Sequence, residues 1–232
     1  MMTNHVVKDS VNQVLIDCEN KIGIQELGMM ANQVWYDDPR RLVFTLARYK
    51  FVSKMLSGRQ NVFEIGCGDG FASRLVRQEV ANLTISDFDP LFIERFQAST
   101  LERWQTSAVV HDILQGAPPG RYDAIYSLDV LEHIPAQQED RFLLNTIEAL
   151  DDHGVVIFGM PSLESQGWAS PPSRAGHVNC KTGKDFKALL DRYFHAVFMF
   201  SMNDEVVHTG FFPMAHYLIG VCAHKKLIRA SS

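Results

Sequence analysis

Hydrophobic and polar positions along the chain follow two alternating patterns. Short apolar runs of the kind that form buried strands alternate with longer stretches in which apolar residues recur every three or four positions, as on one helix face. The runs with strand character are NVFEI (61–65), LTISD (83–87), SAVVHD (107–112), YDAIYSLD (122–129), GVVIFGM (154–160), FHAVFMFS (194–201) and YLIGVCAH (217–224). Strands that alternate with helices form βαβ units, so the pattern predicts an α/β fold with a doubly wound, mostly parallel seven-stranded sheet and helices on both faces.

The chain before the first strand has helical spacing. Pro39 is placed to open a helix and Gly58 to close it. We therefore expect an N-terminal helical cap over residues 1–58 and one main domain over residues 59–232. A stretch rich in proline, glycine and serine, at about 160–182, leaves the predicted sheet at the end of a strand and is expected to form a substrate loop.

Composition and charge favour some classes of protein over others. A chain of 232 residues with 46% hydrophobic content can bury one full core. The net charge of -5, without a long basic run, gives no reason to expect a nucleic-acid partner. Cys18, Cys67, Cys180 and Cys222 form no C-x-x-C pair, which favours free thiols in a reducing compartment. No apolar run approaches the roughly 20 residues of a membrane span, and no leader pattern opens the chain, so we expect a cytoplasmic protein.

Three glycines follow the first predicted strand. Gly66, Gly68 and Gly70 occupy the turn where a doubly wound sheet brings its backbone closest to a ligand. A dinucleotide fingerprint needs a small residue where this chain has Phe71, and the Asp69 carboxylate would repel a pyrophosphate at the helix N-terminus. No G-K-[ST] follows, which excludes a P-loop. The turn thus favours a nucleoside with a cationic end over a phosphorylated ligand.

These residues resemble the first motif of the class I S-adenosylmethionine-dependent methyltransferases, an acidic residue followed by G-x-G-x-G. Glu64 matches the acidic position, and the three glycines with Cys67 between them match the rest. The resemblance covers the chain from about Asn61 to His224 and implies a Rossmann-like fold. It also implies that the turn cradles the methionine part of S-adenosylmethionine and that S-adenosylhomocysteine is the product.

Further matches to this family follow in chain order. An acidic residue about twenty positions beyond the turn is expected to accept the ribose hydroxyls. The resemblance implies these cofactor contacts: Asp87 to the ribose, Phe88 and Ile113 to the adenine ring, Asp112 to the adenine amino group, and Leu128 and Asp129 beside the cofactor. Asp112 could instead cap a turn, and Phe88 could be an ordinary core residue.

Candidate catalytic residues lie in the segment LDVLEHIP and in the substrate loop. Asp129, Glu132 and His133 are spaced i, i+3 and i+4, as on one face of a helical turn. We expect His133 or His177 to act as general base, with Asp129 as an orienting group, if the acceptor is a hydroxyl or a protonated amine. A carboxylate and imidazole set could also bind a divalent cation. The D/E-x-x-E-H pattern resembles quinone-biosynthesis O-methyltransferases, but we predict no metal.

The expected acceptor is a small molecule methylated at oxygen or nitrogen. The segment before the glycines resembles methyltransferases of cell-surface saccharide or secondary-metabolite pathways, which points to a nucleotide sugar. Arg40, Arg41 and Arg174 are available to bind its anionic groups, and Arg41 or Arg48 could also reach the cofactor carboxylate. An aromatic or quinone acceptor would use Trp168, Phe211 and Phe212. Protein or RNA methylation and a nicotinamide-dependent oxidoreductase remain alternatives. The stretch 203–217 could line the acceptor site or form a homodimer contact.

Overall fold

A mixed eight-stranded sheet forms the centre of the computed structural model, which describes residues 7–99 and 103–227. The strands are β1 (Asn61–Ile65), β2 (Asn82–Asp87), β3 (Ser107–Val110), β4 (Tyr122–Leu128), β5 (Leu150–Pro161), β6 (Phe194–Asn203), β7 (Val206–His208) and β8 (Tyr217–Lys225). Their order is β3-β2-β1-β4-β5-β8-β6-β7. The five strands from β3 to β5 pair in parallel, whereas β8, β6 and β7 pair with antiparallel neighbours.

The predicted fold class is confirmed, but the strand count of seven is wrong. The additional strand, β7, lies in the stretch 203–217, where the pattern predicted no strand before residue 217. It forms a hairpin with β6 across Asp204 and Glu205, and Asp204 adopts a positive φ of 48° that suits such a tight turn. Three residues are too few to display a period of two, so hydrophobic alternation could not reveal this strand.

Helices cover both faces of the sheet. They are α1 (Gln13–Ile22), α2 (Met29–Asp37), α3 (Pro39–Met55), α4 (Ser73–Arg77), α5 (Pro90–Ala98), α6 (Glu139–Glu148), α7 (Pro171–Gly176) and α8 (Gly183–Asp191). The central strand β4 shows how the two layers form, because successive side chains point to opposite faces. Ala124 and Tyr126 belong to the core under α3, α4 and α5, whereas Ile125 belongs to the core under α6 and α8.

The N-terminal helices bring part of the chain to the carboxyl end of the sheet. Asp38 caps α3 by accepting from the Arg40 N–H, and Pro39 occupies the first helical position, as the sequence indicated. Tyr49 and Val52 are buried against the sheet.

The expected boundaries at residues 1 and 232 lie outside the described residues. In the described part of the chain, none of the helices combines the length and apolar character that crossing a membrane requires.

Candidate active site

The three glycines form a tight turn after β1. Gly66, Gly68 and Gly70 have φ angles of 75°, 54° and 66°, in the left-handed region that residues with side chains rarely adopt. Space is also lacking at Gly70, since an added Cβ would lie 2.5 Å from the Phe96 ring and 2.9 Å from Ile85. The turn therefore presents bare backbone at the carboxyl end of the sheet.

Hydrogen bonds hold this turn against β2. The Gly66 N–H donates to the Ser86 carbonyl at 2.8 Å. Asp87 is only 6% exposed, and its two carboxylate oxygens accept from the backbone N–H groups of Gly68 and Asp89, each at 3.0 Å. Asp87 is thus fixed beside the turn with a defined orientation.

The acidic residue that precedes the turn lies in the interior. Glu64 is 1% exposed and accepts hydrogen bonds from the hydroxyls of Tyr49 and Tyr126, each at 2.7 Å. Burial raises the pKa of Glu64 above its ordinary value, although the tyrosine hydroxyls act in the opposite direction. Because Tyr49 belongs to α3 and Tyr126 to β4, this carboxylate joins the helical cap to the sheet beneath the turn.

Two side chains within the turn have different environments. Cys67 is buried, and burial raises the pKa of its thiol, so the thiol stays protonated at neutral pH. Asp69 accepts from the backbone N–H groups of Phe71 at 3.1 Å and of Ala31 at 2.7 Å. Ala31 lies in the first turn of α2, where unpaired N–H groups favour a carboxylate. Asp69 therefore ties α2 to the glycine turn.

A cavity of about 1010 Å³ opens between the turn, α2, α3 and the ends of the strands. Most of the predicted site residues line it: Gly66, Cys67, Gly68, Asp87, Phe88, Asp112, Ile113, Leu128, Asp129, His133 and His177. Glu64 and Gly70 do not line it. Both residues support the turn instead. Glu64 is buried between two tyrosines, and Gly70 packs against Phe96 of α5.

The residues predicted to contact the adenine ring differ in exposure. Phe88 is 73% exposed, so it is not the core residue of the alternative interpretation, and Ile113 is buried in the wall of the cavity. The Asp112 carboxylate accepts from the Leu114 N–H at 2.9 Å. This bond is the turn cap that the sequence left open, yet Asp112 also lines the cavity. Both interpretations of Asp112 are therefore compatible with its position.

An ion pair crosses from α3 to the end of β4. The guanidinium of Arg48 donates to both carboxylate oxygens of Asp129, at 3.0 and 2.9 Å, and lies 3.8 Å from the centre of the Tyr217 ring. Asp129 adopts a positive φ of 58°, which turns the chain out of β4. No local pattern could reveal this pair, because its members lie 81 positions apart.

Next to this ion pair lies a buried carboxylate. Glu132 is 0% exposed, and neither of its carboxylate oxygens has a hydrogen-bond partner among the described residues. Burial and, to a smaller extent, the Asp129 charge raise the pKa of Glu132 well above its ordinary value. The sequence placed Glu132 on one face of a helical turn but gave it no separate role, because spacing does not show whether a carboxylate is buried.

His133 and His177 approach Glu132 from two different segments. The ring centroids of the two histidines lie 5.1 Å apart. His133 Nδ1 lies 2.9 Å from the Gly176 carbonyl, and His177 Nδ1 lies 2.8 Å from the Gln166 side-chain oxygen. Burial lowers the pKa of His177, which favours its neutral form. One ligand-capable atom from each of Glu132, His133 and His177 lies within 4.8 Å of the other two.

Comparison with known proteins identifies the family. The model of the methyltransferase domain family matches residues 30–193, more than half of the chain. The chain belongs to this methyltransferase domain family. The prediction of an S-adenosylmethionine-dependent methyltransferase of class I, and of S-adenosylmethionine as its cofactor, is therefore confirmed.

Individual relatives show how far the similarity extends. The ubiquinone biosynthesis O-methyltransferase of Xanthomonas euvesicatoria is 27% identical over 119 residues, which cover 48% of this chain and 50% of that protein. This methyltransferase thus spans about half the length of the curated relatives it matches.

Two solved structures share the fold. One is the N-methyltransferase NodS from Bradyrhizobium japonicum in complex with S-adenosylhomocysteine, with a TM-score of 0.59, 21% identity and coverage of 93% of this chain and 99% of that one. The other is a TehB-like SAM-dependent methyltransferase from Corynebacterium glutamicum, with a TM-score of 0.61, 18% identity and coverage of 84% and 96%. At these identities the similarity concerns the fold.

Proposed function

We propose that this methyltransferase methylates a small molecule that binds at the imidazole side of its cavity. The observation that carries the proposal is the lining of that cavity. The glycine turn and Asp87 form one part of the wall, and His133 and His177 form another. The residues expected to hold the cofactor and the two imidazoles therefore line one common cavity.

The residues at the turn fit the nucleoside part of the cofactor. Each oxygen of the Asp87 carboxylate accepts one backbone hydrogen bond and keeps a second lone pair for a ribose hydroxyl. We assign Phe88 and Ile113 to the faces of the adenine ring, Asp112 to its amino group and Leu128 to the apolar wall beside it. The buried thiol of Cys67 contributes bulk, since it stays protonated.

The chain's own contribution to catalysis is alignment, exclusion of water and removal of a proton. When bound, S-adenosylmethionine supplies the methyl group and a sulfonium leaving group. Helices α2 and α3 form part of the cavity wall, and such a wall restricts how the acceptor and water approach the cofactor. We assign His133 or His177 to the acceptor proton. The expected orienting role of Asp129 does not fit, because Asp129 binds Arg48 and the Gly176 carbonyl holds the His133 ring.

One cation of the cavity lining, Arg41, supports an anionic acceptor such as a nucleotide sugar, because the other arginine of the lining, Arg48, already binds Asp129. Arg41 lines the cavity, although Arg40 and Arg174 do not. The aromatic walls expected for a quinone lie elsewhere, since Trp168 and Phe211 are 86% and 72% exposed and do not line the cavity. The aromatic O-methyltransferase alternative draws its support from the Xanthomonas relative.

Methyl transfer from labelled S-adenosylmethionine tests these alternatives directly. The protein is incubated with separate panels of nucleotide sugars, catechols or quinols, and amines, and labelled product and S-adenosylhomocysteine are quantified together. We expect transfer to a nucleotide sugar, with a KM that rises at least about tenfold in Arg41→Ala because an ion pair to the acceptor is lost. The matched variant Arg40→Ala removes an exposed arginine of the same helix and should leave the KM unchanged. Transfer to quinols alone, with Arg41→Ala unaffected, would contradict the nucleotide-sugar assignment.

A further inference from the structure

A buried and unpaired carboxylate is the first sign of a further site. Both Glu132 oxygens lack a hydrogen-bond partner in the described part of the chain, although the side chain is only 1% exposed. Burying an ionised carboxylate without a partner is expensive. The neighbouring cation, Arg48, directs its guanidinium at Asp129. Glu132 therefore lacks a counter-charge of its own, although it lines the wall of the cavity.

The two imidazoles beside Glu132 have a fixed tautomer. A carbonyl oxygen can only accept, so His133 Nδ1 donates to Gly176 and its Nε2 carries the lone pair. The Gln166 amide nitrogen donates to the Ser162 carbonyl at 3.1 Å. Its oxygen therefore faces His177 Nδ1 and accepts from it. Such bonds from the distal ring nitrogen are typical of histidines that ligate metals.

From these observations we propose that Glu132, His133 and His177 bind a divalent transition-metal cation, and that the methylated acceptor is an oxygen compound that ligates this cation. The second half of the proposal rests on the proposed function. It departs from the sequence-based prediction of no metal.

The geometry requires a small contraction around the ion. Ligand atoms that bind one cation at about 2.0 to 2.2 Å lie at most about 4.4 Å apart. The three candidate atoms lie within 4.8 Å of one another, so modest side-chain rotation brings them into range. His133 is exposed enough to rotate, with 48% of its side chain accessible. A bound cation would also tie the 160–182 loop, which carries His177, to the segment after β4.

The ligand types select the kind of metal and the chemistry. Two imidazoles and one carboxylate suit Zn²⁺, Mn²⁺, Co²⁺ or Fe²⁺ better than Mg²⁺ or Ca²⁺, which prefer oxygen ligands alone. With the cation bound, both imidazoles are ligands, so neither acts as the general base assigned above. Three protein ligands leave one position of the cation open, where an acceptor hydroxyl would lose its proton to water more easily. The oxygen lone pair then forms the bond to the methyl carbon, and the electrons of the broken carbon–sulfur bond stay on sulfur.

Cobalt titration of tag-free protein, stripped with a chelator, tests the site without relying on activity. We expect one equivalent of Co²⁺ to bind, with a visible absorption band characteristic of imidazole and oxygen ligands. Glu132→Gln, His133→Gln and His177→Gln should each weaken binding by at least about tenfold, and Gln166→Ala by roughly 10- to 100-fold. His153→Gln is the matched control, because His153 is exposed at the opposite end of β5.

Parallel titration with S-adenosylhomocysteine separates this proposal from the proposed function. The cofactor product should bind the stripped protein and the His177→Gln variant as it binds the wild type. Two results would overturn the metal site while leaving the methyltransferase assignment intact. One is the absence of stoichiometric Co²⁺ binding by the wild type, and the other is Co²⁺ binding by His133→Gln and His177→Gln that is as tight as that of the wild type. Loss of S-adenosylhomocysteine binding by the wild type would overturn the proposed function instead. Methylation of amines but not of hydroxyl compounds would overturn the oxygen acceptor.

Discussion

Replacing Tyr126 by phenylalanine should destabilise the protein measurably, because its hydroxyl donates to a buried carboxylate. Tyr126 and Glu64 are 0% and 1% exposed, and the hydrogen bond between them measures 2.7 Å. A hydrogen bond to a charged group contributes about 1.5 to 3 kcal/mol. Phenylalanine keeps the ring and its packing, so the change isolates the hydroxyl. In a chain of this length the loss corresponds to a fall in Tm of roughly 3 to 12 °C.

Urea unfolding followed by circular dichroism measures this cost. The matched control is Tyr122→Phe on the same strand, which removes a bond of 2.7 Å to the neutral Pro119 carbonyl and should cost only about 0.5 to 1.5 kcal/mol. A cost for Tyr126→Phe below that of Tyr122→Phe would refute the reasoning that an ionised carboxylate organises this part of the core.

The loss of stability caused by Tyr126→Phe should also depend on pH. Burial raises the folded-state pKa of Glu64 above 4.5, so the protonated carboxyl favours folding at low pH, and this contribution is lost as pH rises through the folded-state pKa. Removal of a hydrogen bond that stabilises the ionised form raises the pKa further. The destabilisation by Tyr126→Phe should therefore grow as pH rises through the folded-state pKa of Glu64, and a cost that shrinks as pH rises would contradict the assignment.

Two further predictions concern the turn and the ion pair. Gly68→Ala should weaken S-adenosylhomocysteine binding by at least about tenfold in calorimetry, since a φ of 54° strains alanine by roughly 1 to 3 kcal/mol; unchanged affinity would show that the turn does not need a glycine there. Arg48→Ala should lower the unfolding free energy by roughly 1 to 3 kcal/mol in urea titrations, because it leaves Asp129 unpaired beside the buried Glu132. Arg48→Lys should lower it by less. Equal stability of both variants and the wild type would exclude a structural role for the ion pair.

The sequence carries most of the information that defines this fold. Local periodicity and turn residues predicted the parallel strands, and β1 begins and ends where the pattern indicated, at Asn61 and Ile65. The stretch 69–80 predicts a longer helix after the glycines, but α4 spans only Ser73–Arg77. Local spacing and propensity do not fix where a helix begins and ends in the folded chain. The pattern did not predict the short strand β7 either, because β7 is defined by its pairing with β6.

The site was predicted less completely than the fold. Motif spacing selected residues at strand ends, such as Asp87 and Asp129, and both line the cavity. It could not find partners brought together from distant segments. Glu64 contacts two tyrosines, and His177 lies beside His133, only because the fold brings separate elements together.

Calorimetric titration with S-adenosylhomocysteine, with NADH in parallel, tests the central claim most directly. The cavity beside the glycine turn should bind S-adenosylhomocysteine at about micromolar Kd and should not bind NADH. Asp87→Asn should weaken binding by at least about tenfold, since one carboxylate oxygen is replaced by an amide donor, whereas the exposed Asp152→Asn should bind as the wild type does. Binding of NADH alone, or full S-adenosylhomocysteine affinity in Asp87→Asn, would contradict the account of the cofactor site.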